Sequence, residues 1–215
     1  NGIPRGKRIR RSDLLGVVKG GLMMPASIFV MDPLGNCIEE TGRLWETGDP
    51  DHQCHLLSGT LVPIPVDGGR HAQVVMVVEV REEIDPRTVL LGQVERFARA
   101  GQTPVAAVEL EFYLTRKSTN GAFVLHTPEG LSDDPGRPLT FGFEEMDTLS
   151  PFIDDIYRIC DVQHLPVDAV MQESGPGQFE INLKEGADAV GAALNGLLLK
   201  RAVKAAARAH GLEAT

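Results

Sequence analysis

Three observations predict an α+β fold for this chain. Residues 1–84 carry short β-rich runs punctuated by Gly, Pro and Asp. Segments with helical periodicity and recognisable caps follow. Between those helices lie two strand-like runs, VELEFYL and QFEINL. A boundary near Ile84 is expected to separate a β-rich domain, residues 1–84, from a mixed domain, residues 85–215.

Composition narrows the class. At 215 residues, with 42% hydrophobic and 24% charged side chains, the chain can bury a substantial core as a soluble globular protein. Its net charge of −9 argues against a general affinity for nucleic acid. The basic cluster Arg5, Lys7, Arg8, Arg10 and Arg11 therefore reads as a solvated edge or a subunit contact, with local phosphate binding the rarer alternative. The longest apolar runs, such as Val74 to Val78 and Leu197 to Leu199, are too short to span a bilayer, so no membrane segment is expected. The opening NGIPRGKRIRR lacks the apolar core and cleavage site of a secretory signal and has no initiator Met, so the natural start is expected to lie upstream. Cys37, Cys54 and Cys160 are odd in number and have no CxxC spacing. That predicts free thiols in a reducing cytoplasm.

Along the β-rich part, SIFVMD, TLVPIPV and AQVVMVVEV read as strands, separated by turn segments such as DPLGN and VDGGR. In DHQCHLL, His52, Cys54 and His55 form a weak metal signal, and a plain loop is the expectation there. Asp85 is placed to cap a helix whose first residue is Pro86, where a missing N–H costs nothing. Gly101 closes that helix.

VAAVELEFYLT then reads as a strand, and residues 117–140 as a long exposed loop or a hairpin. Residues 144–164 place Met146, Leu149, Phe152, Ile153, Ile156 and Ile159 at helical spacing and predict one amphipathic helix. A strand pair is expected around ESGPGQ, and a helix from Asp188 to His210 that ends at Gly211. HGLEAT looks like the opening of another strand with nothing following it to pair with.

Four carboxylates give the sequence its chemistry. Glu109 and Glu111 are two apart on a predicted strand, so both leave the same face, roughly 6 to 7 Å apart by strand rise. Such like charges repel unless a cation lies beside them. Glu173 and Glu180 flank the Gly175-Pro176-Gly177 turn, which brings their strands back toward one another. With no Lys or Arg interleaved, the set offers oxygen ligands suited to Mg²⁺ or Mn²⁺. On spacing alone, a two-metal site and scattered surface carboxylates stand about level.

VELEFYL, ESGPGQFEINL and the following ADAVGAALNGLLLKRAVKAAARAHGLEAT resemble the glutamine synthetase superfamily, with its Glu-x-Glu strand, Gly-Gln-x-Glu strand and long helix. GDPDHQCHLLSGTLVPIP resembles that family's N-terminal β-grasp domain. The resemblance implies a β-grasp domain followed by the first part of a catalytic α/β domain. It implies an ATP-dependent ligase that phosphorylates the γ-carboxylate of glutamate and lets an amine displace the phosphate. By motif, Glu111, Glu173 and Glu180 would hold the metal on the glutamate side, and Glu109 the one that bridges the ATP phosphates. Asp51 matches the family's acidic residue that takes a proton from the incoming ammonium or amine, usually from a neighbouring subunit of a ring-shaped homo-oligomer. A plain turn aspartate is its equally weighted alternative.

Gln172 stands where many glutamine-forming members have His, and Phe179 where they have His or Asn. That version, with the Gly-Asp-Pro-Asp loop, looks more like the γ-glutamylpolyamine synthetase branch, which joins glutamate to putrescine or a similar amine. Ammonia is the alternative acceptor. The family continues past the point matching Thr215 with further metal and ATP ligands, so the chain reads as a portion of a longer enzyme and is expected to be inactive alone. A non-catalytic relative is the competing class, disfavoured because all four glutamates are kept.

Overall fold

The structure, a computed structural model, describes residues 3–64, 70–79, 84–127 and 140–215. Most of the expected VDGGR turn, the end of AQVVMVVEV and residues 128–139 of the expected long loop lie outside the described residues. Helices and antiparallel strands are mixed along the chain, as an α+β class requires. Two compact units are present, Asn1–Val62 with Gln73–Arg96, and Pro63–Ala72 with Phe97–Thr215.

In the first unit, α1 (Leu14–Gly20) turns at Gly21 into β1 (Leu22–Pro25). Gly21 has φ +72°, and a Cβ there would run into the carbonyl oxygen of Cys54, so only glycine suits this close approach. β1 pairs antiparallel with β2 (Asp51–Leu56), which pairs on its other side with β5 (Met76–Val78). Met24, Ala26, Cys54 and Val78 form the small core between them.

Two sequence expectations fail here. SIFVMD is not a strand: Ala26–Val30 is a 3₁₀ helix, held where the Asp49 carboxylate accepts from the Ser27 N–H at 3.2 Å and its hydroxyl at 2.8 Å. A side-chain acceptor thus outcompetes the β preference of Ile28, Phe29 and Val30. DHQCHLL is not a loop but the central strand β2, since neighbours on both edges satisfy its backbone and Cys54 is wholly buried. His52 and His55 leave opposite faces of that strand, and His55 instead pairs with Glu79 at 2.7 Å.

AQVVMVVEV also divides, into β4 (His71–Gln73) and β5, while β4 joins β3 (Val62–Ile64) in a two-stranded ladder. Between β4 and β5, Val75 donates its N–H to the Thr60 hydroxyl at 3.0 Å rather than to a strand. The helix after it, α2 (Pro86–Arg99), begins as expected. Asp85 accepts from the N–H groups of Arg87 and Thr88 at 3.0 and 3.1 Å.

The second unit is built on a sheet of order β10-β6-β9-β8, with β7 also paired to β6. Its strands are β6 (Glu109–Lys117), β7 (Phe123–Leu125), β8 (Val167–Gln172), β9 (Gln178–Leu183) and β10 (Glu213–Ala214). HGLEAT does form a strand, and its partner is β6: Glu213 opposes Thr115 and Ala214 opposes Leu114. The expected single helix over 144–164 is two, α3 (Phe143–Thr148) and α4 (Ser150–Val162). Pro151, in the first turn of α4, has no N–H to continue α3, so the chain restarts at Leu149.

Phe152, Ile153, Ile156 and Ile159 of α4 and Leu198, Leu199, Ala202 and Ala206 of α5 (Ala189–Ala209) pack with Phe112, Leu114, Phe179 and Ile181 of the sheet. Burying each large side chain contributes about 1.5–3 kcal/mol. Gly196 of α5 lies so close to Val108 that a Cβ would meet its side chain at 3.0 Å. The helices thus cover one sheet face, and strand alternation leaves the other for polar side chains.

Candidate active site

The second face of that sheet carries the glutamates. In the β6–β9 register, Glu111 stands directly opposite Glu180, and Glu109 opposite Asn182. Period-two alternation puts all four side chains on the face away from Phe112 and Phe179, which stack in the core with centroids 6.0 Å apart. Side chains opposed in this way have Cβ atoms about 4.5–5.5 Å apart. The carboxylates of Glu109 and Glu111 are exposed, and those of Glu173 and Glu180 are half-buried.

Glu173 joins the group from the end of β8. Its N–H donates to the Gln178 carbonyl at 2.9 Å, closing the turn expected at Gly175-Pro176-Gly177. Gly177 adopts φ +68° and sits where a Cβ would meet the His126 carbonyl at 2.8 Å, so the turn needs glycine there. Burial pushes the Glu180 carboxyl above its usual range; a hydrogen bond shared with Glu173 and the charges of Glu173 and Glu109 add to the shift, and Asn182 opposes it.

Neutral groups orient these carboxylates. Gln178 Nε2 donates to Glu111 Oε2 at 2.9 Å, while its Oε1 accepts from the Tyr113 hydroxyl at 3.1 Å and the Gly175 N–H at 3.0 Å. Among the described residues, no Lys, Arg or His forms an ion pair with any of the four. Asn182 Oδ1 is buried on this face without a hydrogen-bond partner. A set of carboxylate oxygens, one unsatisfied amide oxygen and no neutralising cation fits a hard divalent ion. Among the described residues, no three His, Cys, Asp or Glu side chains yet stand close enough to hold one metal ion. The carboxylates share a face, and their side-chain rotamers are not drawn into one coordination sphere.

Residues 83–215 match the family described as glutamine synthetase, catalytic domain. The chain belongs to the glutamine synthetase family. γ-Glutamylputrescine synthetase PuuA of Escherichia coli strain K12 is 34% identical over 221 residues, a match covering 100% of this chain and 47% of that protein. Glutamate–isopropylamine ligase of a Pseudomonas species is 26% identical over 230 residues, covering 100% of this chain and 48% of that protein. The chain thus spans about half the length of the curated relatives it matches. Among solved structures, apo GmaS without ligand superposes with a TM-score of 0.76 at 20% identity, covering 100% of this chain and 47% of that one, which speaks to the fold alone.

Within this glutamine synthetase family member, Asp51 is the exposed first residue of β2 in the first unit, not a turn residue. The residue that braces the Gly-Asp-Pro-Asp loop is its neighbour Asp49, at φ +46°. Sequence reasoning gave no role to Asp49, Tyr113, Gln178 or Asn182. Gln178 lies inside the quoted motif, but its bond to Glu111 depends on a strand register that spacing does not disclose. Phe179, read as a branch marker, is 1% exposed and packs into the core, so it differs from His or Asn by packing and not by reaching the open face.

Proposed function

We propose that this chain carries part of the active site of an ATP-dependent ligase that joins the γ-carboxylate of glutamate to an amine through γ-glutamyl phosphate. The observation that carries the reading is Glu111 opposed to Glu180, with Glu109 and Glu173 on the same sheet face and, among the described residues, no Lys, Arg or His in an ion pair with them. Glu111, Glu173 and Glu180 would hold one Mg²⁺ or Mn²⁺, and Glu109 would help hold a second. Such ions neutralise phosphate charge and polarise the group being transferred. The protein's own part is to aim these carboxylates, which Gln178 does for Glu111 by donating to one oxygen. Asp51 would take the proton of the incoming amine, from a neighbouring subunit of a ring-shaped homo-oligomer.

The names of two relatives favour an alkylamine acceptor such as putrescine, with ammonia as the alternative. The division at Ile84, with a β-grasp fold over 1–84 and the first part of the catalytic domain over 85–215, belongs to the same reading. So does a cytoplasmic setting, which free Cys37, Cys54 and Cys160 suit. Among the described residues, no helix is long and apolar enough to cross a membrane.

Mn²⁺ titration followed by electron paramagnetic resonance tests the reading. Glu111→Ala and Glu180→Ala should each weaken Mn²⁺ binding by roughly tenfold or more, as loss of a ligand requires. Unchanged affinity in both would leave a non-catalytic relative as the better description. Acceptor choice is then decided on the full-length protein by phosphate release with putrescine, ethanolamine and ammonium.

A further inference from the structure

Gln172, the last residue of β8, immediately precedes Glu173. The register pairs it with Phe179, so its side chain leaves the sheet on the core side, opposite the carboxylates, and is 1% exposed. A buried amide requires partners. Glu145 of α3, also 1% exposed, provides one: Gln172 Nε2 donates to Glu145 Oε2. The other carboxyl oxygen of Glu145, Oε1, is buried without a hydrogen-bond partner.

Two further bonds tie the start of α3 to this strand end. The Phe141 N–H donates to the Gln172 carbonyl at 2.9 Å, and the Thr140 and Ser174 hydroxyls share a hydrogen bond of 2.9 Å. Phe141 holds φ +59°, a left-handed conformation that a bulky residue keeps only where its surroundings demand it. Residues 140–145 therefore grip both sequence neighbours of Glu173, Gln172 and Ser174. Burial pushes the Glu145 carboxyl above its usual range, consistent with a structural acceptor and not a surface charge.

We propose that Glu145 is a positioning residue: by holding Gln172 from the core side of the sheet, it sets the backbone at Glu173 and aims that carboxylate at a divalent cation on the other side. The inference rests on the metal-binding reading of Glu173 given above. Neither Glu145 nor its bond belongs to the Glu-x-Glu or Gly-Gln-x-Glu motifs.

The test compares wild type, Glu145→Leu, Glu145→Gln and Glu173→Gln by Mn²⁺ titration, and by amide hydrogen exchange at Glu173 in the metal-free chain. Glu145→Leu removes the acceptor and should raise the Mn²⁺ Kd about tenfold, as loss of an outer-shell partner does. It should also speed exchange at Glu173. Glu145→Gln keeps an acceptor oxygen and should return both readouts close to wild type. If the Leu variant does not fold, Gln172→Met breaks the same bond from its other end and should give the same two changes. Should wild type bind no Mn²⁺, or Glu173→Gln bind it equally well, the metal reading fails and takes this inference with it. Weakening by Glu173→Gln alone, with Glu145→Leu or Gln172→Met unchanged in Mn²⁺ affinity, overturns only the positioning role.

Discussion

Gln178 Nε2 on β9 donates to Glu111 Oε2 on β6 at 2.9 Å, while Gln178 Oε1 accepts from Tyr113 at 3.1 Å. One amide thus orients a carboxylate across the strand pair and is itself held by a phenol. Gln178→Ala should weaken Mn²⁺ binding about tenfold by freeing Glu111. Tyr113→Phe should cost only about 1 kcal/mol of stability, one ordinary hydrogen bond. Titration of Mn²⁺ and urea unfolding measure the two effects separately.

The core under the carboxylates is what holds their register. Phe179 is 1% exposed and stacks on Phe112, which meets Phe152 edge-on at 6.3 Å between centroids. Phe179→Ala is expected to cost about 3–5 kcal/mol, through lost burial and a residual cavity. A shift in the urea midpoint at unchanged slope would report it.

Gly21→Ala should destabilise the first unit. Its φ of +72° disfavours any Cβ, and the Cys54 carbonyl occupies the space a Cβ would need. The expected loss exceeds the ordinary gain of about 0.4–1 kcal/mol that Gly→Ala brings at permissive sites, with opposite sign. Thermal unfolding monitored by circular dichroism is the check.

Glu145 makes stability depend on pH. Burial raises its folded pKa above the ordinary range of a glutamate carboxyl. A raised acid pKa means that the native state binds the proton more tightly than the unfolded chain. The group's contribution is therefore complete below the unfolded pKa and is lost as pH rises through the folded one. Glu145→Gln, which cannot ionise, should flatten that part of the pH–stability curve and gain on wild type at the alkaline end. Urea midpoints across pH 4 to about 8 would show a parallel decline in both proteins if burial of this carboxyl were immaterial.

The thiols should differ in reactivity. Cys54 and Cys160 are buried, and burial pushes the Cys160 thiol up to about 12, whereas Cys37 is partly exposed. At pH 8 a disulfide reagent should modify Cys37 first, with Cys54 and Cys160 reacting only on unfolding. Rapid modification of all three in the native chain would contradict this burial.

What the sequence determined by itself was local. A two-residue spacing is enough to put Glu109 and Glu111 on one face, and Asp85 announces its helix because a cap acts within three residues. The apolar spacing of residues 144–164 revealed a buried helical face, and only the restart at Pro151 escaped it. Tertiary structure alone decided that Glu111 faces Glu180, that Gln172 meets Glu145 beneath the sheet, and that DHQCHLL is a central strand. Register and buried polar pairing depend on which distant segments exclude water together. That choice is made by the summed packing of the whole unit, and no window of neighbouring residues encodes it.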